Sequence, residues 1–164
     1  MKKFELTSEF VTFLGKKLFR IKALVSFGDV KEGELGGLVE KEENLDQSGD
    51  AWVYGDAQVY GDARVSGDAQ VSGDARVYGD AWVSGNARVQ NCRDYSATSC
   101  FGSENRTTTF FHTKDGGIGV RCGCFYGTLA EFREKVKERH GDSRTAKEYL
   151  MLADLMEFRL SKDE

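Results

Sequence analysis

The chain has 164 residues, 40% hydrophobic and 30% charged, with 19 glycines and no proline. That length fits one domain or two small ones, and that balance excludes a disordered chain. Glycine without proline excludes collagen and proline-rich linkers, and a net charge of −4 excludes a polycation that coats nucleic acid.

No segment approaches the ~18 consecutive apolar residues of a membrane span. The start, MKKFELTSEF, turns acidic where a signal peptide would be apolar. Cys92, Cys100, Cys122 and Cys124 in a leaderless chain read as reduced thiols, so a cytoplasmic location is expected.

Residues 1–34 predict an N-terminal β cap. Phe10–Leu14 and Leu18–Phe27 flank Gly15-Lys16-Lys17, a hairpin pattern. Phe19, Ile21, Ala23, Val25 and Phe27 alternate with more polar neighbours, as a half-buried strand does. Open solenoid ends expose unpaired edges, and such a hairpin would cover one.

Residues 35–91 predict a solenoid. From Gln47 to Val89 the period is six: Val53, Val59, Val65, Val71, Val77, Val83 and Val89 hold one phase. Gly follows two positions later, Asp or Asn three later, and Ala four later. A short strand points each Val inward and both its neighbours outward. Gly-Asp then turns a corner. An α-helix is excluded, since a glycine at every sixth position would cost ~1 kcal/mol each. Three hexads close a coil, with neighbouring coils about 4.8 Å apart. Leu35 keeps the phase, whereas Lys41 and Gln47 fill the next two aliphatic slots, so Leu35–Trp52 reads as a degenerate first coil.

Stacking at a period of three hexads places Trp52, Gln70 and Arg88 on one face, with Tyr54 beside them. It sets Gln58 over Arg76 and Tyr60 over Tyr78 on a second face, and Arg64 over Trp82 on a third. The Arg64–Trp82 stack is a cation–π candidate. Trp52, Tyr54, Tyr60, Arg64, Arg76, Tyr78, Trp82 and Arg88 are the candidate binding surface, because Tyr, Trp and Arg dominate interface hot spots. Ladder stacking within the solenoid is the alternative. The Asp columns, such as Asp56 with Asp74, read as corner turns, with cation binding and phosphate mimicry as weaker readings.

The repeat resembles the hexapeptide-repeat, left-handed parallel β-helix family. The resemblance implies the left hand, and a mainly β fold of about three coils. The stretch FGDVKEGELGGLVEKEENL, leading into the repeats, is similar to hexapeptide-repeat proteins of bacteria and their phages or prophages. FGSENRTTTFF and GCFYGTL extend that resemblance into the tail.

Residues 92–164 predict a small α+β module of ββαα type. Cys92–Arg106 is irregular. Thr107–Thr113 and Ile118–Phe125 flank Lys114-Asp115-Gly116-Gly117, a hairpin signal. Thr128-Leu129-Ala130-Glu131 is a capping box that opens a helix to about His140, and a second helix runs from Asp142 or Ser143 to about Leu160.

No cofactor is expected. The C-x₇-C…C-x-C spacing of Cys92, Cys100, Cys122 and Cys124 matches no common zinc knuckle, and buried thiols are the default. Ser103, Asn105, Arg106 and Thr107 form a hydroxyl- and amide-rich stretch that suits a phosphate or nucleotide, although the Gly-Lys-Ser/Thr of a P-loop is missing. Acyltransferases of the resembled family commonly use a catalytic His. Here His112 and His140 both lie outside the repeat, where structural roles are expected, and no long loop leaves a coil.

The sequence therefore favours a non-catalytic interaction protein over an enzyme. The phage-type resemblance implies a counter-defence inhibitor in a host cytoplasm. Its partner is expected to be a host protein or protein–nucleic acid complex, such as a CRISPR nuclease complex, or a nucleotide signal. A homo-oligomer, dimer or trimer, is expected, and no membrane. The alternatives are a hexapeptide-type acyltransferase and a self-assembling structural protein.

Overall fold

The computed structural model describes residues 2–101 and 106–161, with side chains at all of these but 100 and 101. The chain is mainly β. It begins with a hairpin, β1 (Phe4–Phe13) and β2 (Lys16–Ala23), followed by β3 (Leu35–Val39) and a 3-10 turn at Glu42–Asn44. Seven two-residue strands come next: β4 (Trp52–Val53), β5 (Gln58–Val59), β6 (Arg64–Val65), β7 (Gln70–Val71), β8 (Arg76–Val77), β9 (Trp82–Val83) and β10 (Arg88–Val89). The last third holds β11 (Tyr95–Phe101), β12 (Arg106–His112), β13 (Ile118–Cys122), β14 (Phe125–Thr128), α1 (Leu129–His140) and α2 (Arg144–Leu160).

The short strands stack in parallel. Trp52 pairs with Gln70 and Gln70 with Arg88, a step of three hexads. Gln58 pairs with Arg76 and Arg64 with Trp82 at the same step. Each valine of the repeat is fully buried, and so are the alanines of the corners. Seven corner glycines, from Gly49 to Gly85, hold φ between +58° and +71°, a region that an L side chain enters only at a cost. This is why the Gly slot tolerates no variation while the slots beside Val do.

The first ladder positions correct the expected phase. Val39 pairs with Val59 and Leu45 with Val65, so each of these steps exceeds three hexads by two positions. Val39 and Leu45, not Lys41 and Gln47, occupy the inward slots, and both are buried. Leu35 is 54% exposed. Two extra residues sit between Leu45 and Val53, where the spacing is eight instead of six. Asn44 is buried beside Leu45, and its amide donates to the carbonyls of Gly61 and Ala63 at 3.1 and 2.9 Å.

The hairpin extends one solenoid face. β1 pairs with β2 and β2 with β3, giving the order β1-β2-β3-β5-β8. β2 ends at Ala23, earlier than the alternation to Phe27 suggests. Phe27 leaves the strand and bridges Val30. Phe4, Ile21, Ala23 and Val30 then join the valine core from one end.

At the other end, Cys92–Arg106 is not irregular throughout, since β11 occupies Tyr95–Phe101 within it. The module has a four-stranded sheet, β11-β12-β13-β14, in place of the expected two strands. β12 serves two cores because alternate residues face opposite sides. Phe111 packs into the valine core and Phe110 into a second core with Phe132, Val136, Leu152 and Met156. α1 is capped by Thr128, whose hydroxyl accepts from the Glu131 amide at 3.1 Å, and α2 by Ser143, which accepts from Ala146. No helix among the described residues is long and apolar enough to cross a membrane.

Candidate functional site

The eight outward side chains singled out from the repeat have different fates. Trp52 is not a surface residue: it is fully buried. Phe4 and Phe27 meet its ring edge-on at 6.2 and 5.3 Å, so the N-terminal segment closes over it. Nothing in the hexad itself signals this, because both covering rings come from distant segments. Tyr54, on the same face, is half-buried, and that burial pushes its hydroxyl pKa up. Arg88 is tied to the corner backbone, with Nη1 donating to the carbonyls of Asp68 and Ala87 at 3.0 and 2.9 Å.

On the third face Arg64 lies over the Trp82 ring at 5.6 Å. Arg121 of β13 lies closer, at 3.7 Å, an addition that the repeat alone does not show. The indole N–H donates to Ser66 Oγ at 2.8 Å, and the Trp82 amide donates to Thr109 Oγ1 at 3.0 Å. Trp82 therefore locks the C-terminal sheet onto the solenoid. A groove of about 450 Å3 runs beside it, lined by Glu42, Glu43, Asp46, Gln47 and Arg64.

The second face is the open one. Tyr60 and Tyr78 stack with ring centroids 5.4 Å apart and planes 10° apart. Phe13, at the end of β1, meets Tyr60 at 5.6 Å, and the Arg76 guanidinium lies over Phe13 at 4.7 Å. Burial, and then the neighbouring ionisable hydroxyl of Tyr78, raise the Tyr60 pKa. Tyr95 braces the strip from beneath, its hydroxyl donating to the Arg76 carbonyl at 2.6 Å, and burial drives its pKa well up. Tyr78 is 52% exposed and Leu14, at the hairpin tip, 80% exposed. Leu14 holds φ at +51°, an uncommon state for a branched side chain. Phe13 and Leu14 lie outside the repeat, and the hairpin pattern marks the turn without saying which face it meets.

The remaining candidates separate. Cys92 is exposed beside Tyr78 and Tyr95, whereas Cys122 and Cys124 line a different recess next to α1. Cys124 is exposed in the β13–β14 turn, not buried on the strand, and the Cys100 side chain lies outside the described residues. Among the described residues, no three His, Cys, Asp or Glu side chains gather to hold a metal. Ser103 and Asn105 lie outside the described residues as well. Arg106 is exposed at the start of β12, and the Thr107 hydroxyl pairs with Ser99 at 3.0 Å.

His112 has both ring nitrogens engaged. Nδ1 faces Asp94 Oδ1 at 3.1 Å and Nε2 faces the Leu160 carbonyl at 2.6 Å. This pins the last turn of α2 to the sheet. His140 rests on the Tyr149 ring at 5.9 Å. Neither imidazole sits on a coil.

The family description "YdcK Beta solenoid repeat" matches residues 57–70 and 69–85, the span of β5 to β9. A comparison with curated proteins finds no match. The match and the parallel ladders together define a protein with a β-solenoid repeat.

Proposed function

We propose that this chain is a non-catalytic binding protein, built on a left-handed β-helix of about three coils, that engages a host protein through its second face. The observation that carries the reading is the strip of Phe13, Tyr60, Tyr78 and Arg76. It is aromatic, braced from below by Tyr95, and open to solvent at Tyr78. Rigid aromatic anchors lose little conformational freedom on binding, which is why they concentrate interface energy. The other aromatic columns are covered by parts of this same chain and leave less for a partner.

The phage-type resemblance makes a defence nuclease complex the partner of choice, with the protein acting as an inhibitor in the host cytoplasm. A dimer or trimer would present the strip more than once. The acyltransferase reading gains no support from His112, whose two nitrogens are both held within the fold.

The test is retention of a host nuclease complex on the immobilised full-length chain, alongside nuclease assays. Wild-type protein is expected to retain the complex and lower its activity. Tyr78→Ser should weaken retention about 30-fold, the ~2 kcal/mol of a hot-spot residue, while the lost Tyr60 stack lowers the melting temperature by only a few degrees. Equal retention by the variant, no effect on nuclease activity, or turnover of acyl-CoA would overturn the reading.

A further inference from the structure

A second surface, sharing no residue with the aromatic strip, has a different chemistry. A recess of about 110 Å3 lies between the β13–β14 turn and the C-terminal half of α1. Its floor is apolar: Phe125, Phe132, Val136 and Tyr149. Phe132 meets Phe110, Phe125 and Tyr149 at 5.7–5.8 Å, so that floor is held rigidly. Its rim is cationic: Arg106 from β12, and Lys135 and Arg139 from α1, with His140 beside them. Among the described residues no acidic side chain lines the recess, in a chain whose net charge is −4.

The helix C-terminus accounts for part of this. Cations in a last turn offset the negative end of the helix dipole, and Lys137, Arg139 and His140 lie there. It does not account for Arg106, which arrives from a strand, or for Lys135, one turn earlier. Lys135 and Arg139 are four residues apart and share one helix face, where like charges repel and weaken the helix. Glu138 approaches Lys135 only to 3.9 Å at an exposed position, which does little to offset that repulsion. Arg106 also lies against Gly123 so closely that any side chain there would displace it. A bound anion would resolve the repulsion on the α1 face.

Size narrows the ligand. A closed apolar cavity of about 150 Å3 holds one benzene ring. A smaller recess open to solvent takes the face of one ring and leaves no room for a charged group within it. We propose that this recess binds a small aromatic phosphomonoester, its ring on the Phe125–Phe132–Tyr149 floor and its phosphate across Lys135 and Arg139. Nucleoside monophosphates belong to this class. The site is separate from the aromatic strip, so either can fail without the other.

Phenyl phosphate is the probe, titrated into the full-length chain by calorimetry with Phe132 ring resonances followed by NMR. Inorganic phosphate and phenol serve as the two halves of the ligand. Phenyl phosphate is expected to shift the Phe132 resonances and to bind at least ten-fold tighter than either half. It should also slow alkylation of Cys124, which lines the same recess, in a Cys92→Ser background. Lys135→Gln with Arg139→Gln should weaken binding at least ten-fold, and Arg139→Lys should keep most of it. Both residues are exposed, and matched melting temperatures would show that the fold is intact. Unchanged affinity in the double variant overturns the proposal. So does equal binding of inorganic phosphate, or Phe132 resonances that do not move.

Discussion

Lys3 shows what a single buried charge does here. The residue is 4% exposed, and its ammonium donates to the Ala51 carbonyl at 2.8 Å and lies 4.8 Å from the Phe27 ring. Burial lowers its pKa from 10.5 to about 8, against the opposing pull of Asp46 and Asp50. Between pH ~8 and ~10.5 the unfolded chain therefore binds more protons than the folded one, and this residue's contribution to stability rises with pH. Tyr54, Tyr60 and Tyr95 act oppositely, because burial raises their pKa values, and their contribution falls above pH ~10. Denaturant unfolding at pH 8 and pH 10 should show wild-type protein gaining about 1–2 kcal/mol relative to Lys3→Met. Equal pH slopes for the two proteins would contradict the assignment. None of this is legible in the sequence. The carbonyls that Lys3 reaches are more than 40 positions away in the chain. The same holds for Trp52, whose covering rings no local pattern announces.

At the scale of the element, the hexad states its own geometry. The inward Val and the corner Gly are legible because each follows from backbone rules that act within one hexad, and the three-hexad pairing because the period repeats without a break from Val53 to Val89. The corners nevertheless differ in what stands next to them. A Cβ added to Gly73 would sit 2.5 Å from the Gln90 carbonyl oxygen, whereas one on Gly79 would meet nothing within 4 Å. Both glycines hold positive φ, +61° and +68°. Gly79→Ala should therefore cost only the ~1–2 kcal/mol of the backbone conformation, and Gly73→Ala roughly 3 kcal/mol or more, from urea unfolding. Equal costs would mean that the last coil gives way around residue 90. β11 hides from sequence reading for the opposite reason. Its apolar alternation, Tyr95 and Ala97, is brief and breaks at Ser99, and it is a strand because β12 offers it a pairing edge. The shifted first coil escapes the pattern because extrapolating the later phase backwards crosses two extra residues.

For the whole molecule, the three-hexad step fixes how the two ends face each other. Thr109 bonds Trp82 on the third face, and Thr113 bridges Ala87 near the corner beyond it. A second copy of the Val71–Arg88 coil, inserted after Arg88, should lengthen the solenoid and return the C-terminal sheet to the same face. Its melting temperature should stay within a few degrees of wild type. Insertion of a single hexad, VSGDAR, at the same point should bring the sheet onto the wrong face. It should lower the melting temperature by about 10 °C or more, since each kcal/mol is worth about 2–4 °C at this size. Thermal melts followed by circular dichroism separate the two outcomes. Comparable melts would show that the sheet is not bound to one face.

The odd spacing between Leu45 and Val53 carries a further consequence for folding. Near-identical hexads are close to interchangeable, so a growing stack has several alignments of similar energy, each displaced by one rung. Such degeneracy invites kinetic traps. The longer interval cannot be superposed on any other rung. With Asn44 bonding Gly61 and Ala63 just before it, that interval gives the ladder an unambiguous origin from which every later rung is counted.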